Sequence, residues 1–509
     1  MLEAIVSALP DMMVENAAPL LVVVPLMLAG ICVFMPNGRL AWVLTILGSV
    51  SSLFCALVLL LQVSAQGVVS YHLGGFAPPL GIEFRVDGLN ILFLLLVTGI
   101  GVLAAIFSWP TVAAEIREEK HRLFYAAHLI CFTGLAGVAI TGDAFNLFVF
   151  LEISSISTYV LVALGGTRDR RAFPAAFNYL LMGTIGATFF VIGVGFLYAA
   201  TGTLNMVDMA ARLALIDADN RAVVAGFAFI VVGLGVKAAM WPLHQWLPNA
   251  YAYAPSFVTM FLSATATKVA IYALVRFGFT VFAPEYTFET LNVPLIFGPL
   301  AMIAMLSCSF QAVFQTDVRR MLAYSSVAQV GYMLLGIAIG TSAGLSAGLF
   351  HLVNHALMKG ALFMAVAGVV LTYQGTRISD FAGLGRAAPL TMTAFAIAGL
   401  SLIGMPLTAG FQSKWYLLQA MLDGGWGFAA VVIVASSFLA VIYMGRVLQA
   451  VFFQAPINPR KVRREAPLLL LIPLWILTLA TLYIGVQADW VIELAQAAAQ
   501  ASFFPGGPL

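Results

Sequence analysis

The chain has 509 residues, of which 62% are hydrophobic and only 9% charged, with a formal net charge of +2. A soluble domain carries about 25% charged residues, so the composition excludes a soluble protein and leaves no room for a soluble catalytic domain; it describes an all-α polytopic membrane protein. The net charge itself says nothing about nucleic acid, because the basic residues are mostly loop-bound; no nucleic-acid partner is expected, and four cysteines standing singly (Cys32, Cys55, Cys131, Cys308), with no C-x-x-C pair, imply no iron–sulfur or zinc cofactor.

The opening Met1-Leu-Glu-Ala-Ile, followed by Asp11 and Glu15, lacks the basic leader of a signal peptide, so the first span is expected to be retained. Apolar windows between charged and Gly/Pro breaks predict about fourteen helices, since only helices or closed barrels cross a bilayer and these runs are too long for barrel strands. The predicted spans are 17–36, 40–63, 88–109, 122–141, 144–165, 174–200, 221–247, 254–280, 291–314, 321–340, 343–372, 388–420, 426–452 and 466–486. Between the sixth and seventh, residues 203–213 read as a short interfacial helix with Asp208 and Arg212 at i,i+4, and the tail 489–501 as another. The expected organisation is three N-terminal helices (1–121), two five-helix repeats of inverted orientation (122–280 and 281–455), and a last helix with its tail (456–509).

Short loops rich in Lys and Arg face the cytoplasm. Arg39, Arg117, Lys120, Arg122, Arg168, Arg170, Arg171, Arg319, Arg320, Arg377, Arg386, Arg460, Lys461, Arg463 and Arg464 fall on one side, against Arg85, Arg212, Arg221 and Arg276 on the other. That asymmetry puts both termini outside the cytoplasm. Arg446 lies near a helix end where it can snorkel.

Four basic residues remain inside spans, and all are lysine: Lys237, Lys268, Lys359 and Lys414. A charge at the bilayer centre costs roughly 2.5 kcal/mol or more, so an ionisable residue there marks a functional site. Arginine stays charged, whereas a desolvated lysine can give up its proton, which suits a group that must titrate. The acid well inside a span is Glu152, on a helix that also carries Ser154, Ser155, Ser157 and Thr158. One carboxylate cannot compensate four ammoniums, so protonating one lysine should oppose protonation of the next, the coupling a relay requires.

In the seventh span, Gly233 and Gly235 loosen the turn before Lys237, and Pro242 frees the carbonyl of Ala238; His244 would share a face with Lys237 on an unbroken helix. The twelfth span repeats the theme with Pro406 and Gly410 ahead of Lys414. Broken helices near the midplane are the usual construction of a transporter ion site. In the eleventh, His351, His355 and Lys359 recur at i, i+4 and i+8 along one stripe suited to a proton wire. A His-x-x-x-His metal site is the rival reading, opposed by the lack of a carboxylate or cysteine in that helix and by the charge of Lys359. His128, alone in the fourth span, reads as a packing residue and Lys268 as a link between the two halves.

Phe150-Leu-Glu-Ile-Ser-Ser, Gly235-Val-Lys-Ala-Ala-Met-Trp-Pro-Leu-His-Gln-Trp-Leu-Pro, Thr267-Lys-Val-Ala-Ile-Tyr-Ala, the stretch 317–331 and Ala409-Gly-Phe-Gln-Ser-Lys resemble the antiporter-like subunits of respiratory complex I and its relatives. Residues 196–208 and the surroundings of Glu152 most resemble the D-type subunit of the Mrp-type multisubunit monovalent cation/proton antiporters. The resemblance implies a proton path in which Glu152 and Lys237 pair, Lys268 connects, His355 and Lys359 continue, and Lys414 ends the row. The closest complex I counterpart often has glutamate at the twelfth-helix position, where this chain has Lys414.

The reading is a proton-translocating subunit of a multisubunit cation/proton antiporter in a bacterial inner membrane, not itself an enzyme, with other membrane subunits as partners. Its proton-translocation residues are Glu152, Lys237, His244, Lys268, His351, His355, Lys359 and Lys414. Sodium wants several oxygen ligands, which one carboxylate and scattered hydroxyls supply poorly, so the cation is expected to pass partly through another subunit. The rival is the same subunit in a redox-driven complex, complex I-like or a membrane-bound hydrogenase, with every redox centre in a partner.

Overall fold

The computed structural model describes residues 10–455 and 464–503. Arg460, Lys461 and Arg463 of the basic loop lie outside the described residues. Thirteen helices among those described are long and apolar enough to cross a membrane, or up to fourteen when a bent pair, Ile378–Ala387 and Pro389–Ile403 at 119°, counts as one span. This is the all-α polytopic architecture expected from composition.

The spanning helices are α1 (Ala17–Phe34), α2 (Gly38–Gln66), α3 (Gly88–Glu115), α4 (His121–Ile140), α5 (Ala144–Ala163), α6 (Ala172–Thr201) and α7a (Arg221–Ala238). After the short α7b (Leu247–Tyr253) come α8a (Ser256–Ala264), α8b (Ala266–Val275), α9 (Val293–Val313), α10 (Val318–Ala338) and α11 (Ser342–Tyr373). Two 15-residue pieces, α12a (Pro389–Ile403) and α12b (Ala409–Asp423), precede α13 (Gly427–Phe453), α14 (Leu468–Val486) and α15 (Asp489–Phe503). Neither half of α12 is long enough to span alone, so the twelfth predicted span is a broken helix. The interfacial helix predicted at 203–213 forms at Met206–Leu213, with the Arg212–Asp208 pair at 2.9 Å.

Three departures from the sequence reading matter. The seventh span ends as a helix at Ala238 instead of running to 247. The eighth is interrupted at Thr265, whose backbone (φ −125°, ψ −57°) leaves the helical region. A small antiparallel hairpin, β1 (Val69–His72) with β2 (Glu83–Val86), closes one end; its buried Glu83 accepts hydrogen bonds from Ser70 (2.5 Å) and Asn205 (2.8 Å).

Helices α8 and α10 are the most enclosed, with 94% of their apolar windows buried. Against them stands α11, whose residues from Gly344 to Val370 are almost all buried. These central helices carry most of the intramembrane ionisable groups, while α6, α9 and α13 present large apolar side chains such as Phe173, Leu295 and Phe438 to the exterior. Asp87 ties α3 to α8 through two 2.8 Å hydrogen bonds from Arg276. Burial raises the Asp87 carboxyl, and the charge and hydrogen bonds of Arg276 more than offset this, holding it below the ordinary carboxylate range.

Helices α6 and α7a meet through glycines spaced seven apart, Gly186 and Gly193 against Gly226 and Gly233, which lets their backbones touch as small residues do in membrane helix pairs. A Cβ on Gly233 would lie 2.5 Å from the carbonyl oxygen of Gly186 and 2.6 Å from the amide nitrogen of Phe190. Gly233 is therefore a packing residue, and the break near Lys237 has another origin. Gly233→Ala is expected to force these helices apart and cost about 1–3 kcal/mol, read as a lower thermal midpoint in detergent. Gly195→Ala, on the open face of α6 where nothing lies within 4 Å, should leave the midpoint unchanged or higher.

Candidate functional site

The local chemistry that ends α7a and α12a is the same. In α7a, Ala239 takes a left-handed conformation (φ 56°); its amide donates to Val236 O (3.1 Å) and that of Met240 to Gly235 O (2.9 Å). In α12a, Gly404 is left-handed (φ 94°), donating to Ser401 O (3.0 Å), while Met405 donates to Leu400 O (3.0 Å). Both are Schellman terminations, which satisfy the carbonyls three and two places before the cap and leave the last two open. Helix continuity is thus lost ahead of Pro242: the helix has already ended when the chain reaches that residue.

In α12 the two open carbonyls are filled by Lys414. Its ammonium, from the second turn of α12b, donates back to Leu402 O (3.0 Å) and Ile403 O (2.9 Å), and to Ser437 Oγ (3.0 Å) on α13. A cation at a helix C-terminus also meets the negative end of the macrodipole. The same ammonium lies 5.0 Å above the ring of Tyr332, whose hydroxyl shares Ser437 at 3.2 Å. In α8 the interruption at Thr265 frees the carbonyl of Ser263 from its helical partner, and Lys268, fully buried, donates to it. Lys359, equally buried, donates to Leu322 O (2.8 Å) and Ser325 Oγ on α10.

Lys237 differs. It sits in the last turn of α7a, donates to Ser155 Oγ (2.5 Å) and pairs with Glu152 Oε1 at 3.3 Å. The Val236 carbonyl beside it is completed by the indole N–H of Trp246 (2.9 Å), which folds back across the break. Among the described residues, Lys237 alone of the four lysines has a carboxylate partner. The Glu152–Lys237 pairing expected from sequence is thus present.

The stripe on α11 is intact, with His351, His355 and Lys359 all fully buried. His351 is held at both nitrogens, Nδ1 by Ser413 Oγ (3.0 Å) and Nε2 by Gln329 Oε1 (2.9 Å), and its ring lies 5.3 Å from that of Tyr332. His355 stacks 6.5 Å from His351, and neither of its nitrogens has a hydrogen-bond partner among the described residues. Lys268, Lys359 and His351 are the charged or titratable groups that face it. Lys359 is anchored on α10, whereas His351, Tyr332 and Ser437 form the succession of contacts between His355 and Lys414.

His244 does not share a helix face with Lys237, because the helix between them is broken; it lies in the break, with Nε2 3.8 Å from Cys308 Sγ on α9. His128 is a buried ring edge-on to Phe257 and Phe261 at 4.7 and 4.8 Å, as a packing residue would be. No group of three or more His, Cys, Asp or Glu side chains suited to a metal ion occurs among the described residues. Sequence reasoning misses the supporting side chains Gln329, Tyr332, Ser325 and Ser437, whose one signal is a polar residue inside an apolar span.

Residues 141–440 match the family described as NADH:quinone oxidoreductase/Mrp antiporter, transmembrane, and residues 74–110 match the N-terminus of complex I chain 5. The N subunit of the NADH-quinone oxidoreductase of Desulforudis audaxviator is 42% identical over 436 residues, covering 83% of this chain and 85% of the relative. The D subunit of the Na(+)/H(+) antiporter of Bacillus subtilis is 29% identical, covering 96% and 98%. Among solved structures, a chain of the Mrp complex from a Dietzia species superposes with a TM-score of 0.88 at 28% identity, covering 96% and 98%.

The two terminations yield opposite mutational expectations. Ala239 holds a left-handed conformation that disfavours any residue with a Cβ, by about 1 kcal/mol, so Ala239→Gly should raise the thermal midpoint of the detergent-solubilised protein. Gly404→Ala should lower it, since the new Cβ is strained and would stand 3.0 Å from Lys414 Cδ.

Proposed function

The chain belongs to the NADH:quinone oxidoreductase/Mrp antiporter transmembrane family, and on that premise we propose that it carries protons within a multisubunit sodium/proton antiporter of a bacterial inner membrane, with both termini outside the cytoplasm. The observation that carries this reading is the succession of enclosed titratable groups from the Lys237–Glu152 pair (3.3 Å) through Lys268, His355 and His351 to Lys414. Near full-length similarity to the D subunit of a sodium/proton antiporter and to an Mrp complex chain supports the antiporter assignment.

In the proposed cycle a proton taken up at the Lys237 end neutralises or releases the ion pair with Glu152. The change in charge is felt at Lys268, passes through the His355 junction, and ends at Lys414, which exchanges its proton with the outside. Neutral histidine both accepts and donates, so His355, unpartnered among the described residues, suits a junction. No side-chain hydrogen bond joins Lys237 to Lys268 among the described residues, and water is the natural bridge for that step. His244, beside the break and in contact with Cys308 on α9, is assigned to that water-bridged step. Sodium is assigned chiefly to a partner subunit, because the single midspan carboxylate is already engaged by an ammonium.

The similarity to the N subunit of an NADH-quinone oxidoreductase favours a second reading, in which the same relay serves a redox-driven complex. Purifying the intact assembly separates the two: iron–sulfur partners support the redox form and their absence the antiporter.

In the intact complex reconstituted into vesicles, Lys237→Ala and Glu152→Gln are each expected to reduce proton transport at least tenfold, about 1.4 kcal/mol or more in barrier, with subunit assembly preserved. A merely structural subunit would transport at the wild-type rate in both variants, and that result would sink the relay.

A further inference from the structure

Helix α5 carries Glu152, Ser155 and Tyr159 at i, i+3 and i+7, one stripe along a single face. The first two hold Lys237. Tyr159 is 6% exposed, and among the described residues its hydroxyl has no hydrogen-bond partner. Ser155 and Glu152 are the polar groups that face it.

The surroundings fix the ring without satisfying the hydroxyl. Tyr159 meets Tyr179 edge-on at 4.9 Å, and Tyr179 stacks on Trp246 at 4.1 Å. Trp246 is the residue that folds back over the α7 break onto Val236, next to Lys237. On α6, Gly183 makes the room: a Cβ there would collide with the Tyr159 hydroxyl. The fold thus reserves space for an oxygen that it leaves unpaired, although phenylalanine would fill the ring site without a buried, unsatisfied donor.

Ser155 explains the vacancy. Its hydroxyl donates to Leu151 O (2.6 Å), and its oxygen accepts the ammonium of Lys237. When Lys237 withdraws, that acceptor and the Glu152 carboxylate both lose their donor in a low-dielectric setting, where an unpaired acceptor is unfavourable. We propose that the Tyr159 hydroxyl is the alternative donor to Ser155 and Glu152, engaged when Lys237 leaves them. It is thus a positioning residue that makes the open state of the ion pair accessible. The aromatic row Tyr159–Tyr179–Trp246 links this exchange to the break in α7, where Lys237 must move.

The inference rests on the proposed role of the Lys237–Glu152 pair, and its test is arranged to fail separately. In the reconstituted intact complex, Tyr159→Phe is expected to slow transport at least threefold with assembly and thermal midpoint undiminished, and to add little in a Ser155→Ala background. Wild-type transport by Tyr159→Phe overturns the inference. Loss of assembly overturns it too, since an unpaired hydroxyl supports no fold, and so does full additivity with Ser155→Ala. Lys237→Ala measured alongside distinguishes the cases: if it is inactive while Tyr159→Phe is normal, only this inference falls; if both are normal, the ion-pair reading falls with it.

Discussion

An ammonium set against the open carbonyl end of an interrupted helix is the interaction on which this structure depends. Within a bilayer no water is at hand to pair exposed backbone groups, so a helix can stop at depth only where protein supplies the missing partners. In α12 the partner is Lys414, donating to Leu402 and Ile403; in α8 it is Lys268, donating to Ser263. Each lysine stabilises a break that would otherwise be costly, and each break supplies the carbonyls that make a buried lysine tolerable. Protonation and backbone geometry are thereby coupled, because the charged form gains most from the carbonyl ends and the macrodipole.

Lys237 is the exception. Its ammonium does not fill the open carbonyls of its own helix end; it pairs instead with Glu152 and Ser155, while the indole of Trp246 adds a second hydrogen bond to the Val236 carbonyl. An ion pair between two side chains can open without unfolding a helix end, whereas withdrawing Lys414 would strip two carbonyls of their partner. The Lys237 end is consequently the more switchable and the Lys414 end the more firmly held. Between them, the unpartnered nitrogens of His355 stand within the influence of Lys268, Lys359 and His351.

Much of this is legible in the sequence, and the remainder is hidden for identifiable reasons. Span positions follow from hydropathy because lipid leaves the backbone few alternatives, and the lysines stand out because charge is rare there. Pro406 and Gly410 announce a break ahead of Lys414, but the stop itself is the left-handed Gly404, and Gly410 already lies inside α12b. Ala239 performs the same task in α7 with no glycine to announce it, so the pattern points to Pro242 instead and sets His244 on the face of a helix that has already ended. The interruption at Thr265 is carried by small polar residues of ordinary helix propensity and depends on Lys268 reaching back to Ser263, a tertiary contact. Gly233 resembles a flexibility signal and is a close-packing residue, a distinction that needs the facing backbone of α6. The anchoring of Lys359 cannot be read from one helix, because its partners Leu322 and Ser325 belong to another.

The central claim is that these lysines act by giving up their charge as well as by holding it. Arginine keeps the charge and the donors but does not deprotonate, so Lys237→Arg and Lys414→Arg test it most directly, with proton flux measured in vesicles containing the fully assembled complex. The account predicts assembled complexes whose flux falls at least tenfold. Assembled complexes that transport at the wild-type rate with a permanent charge at either position would contradict it.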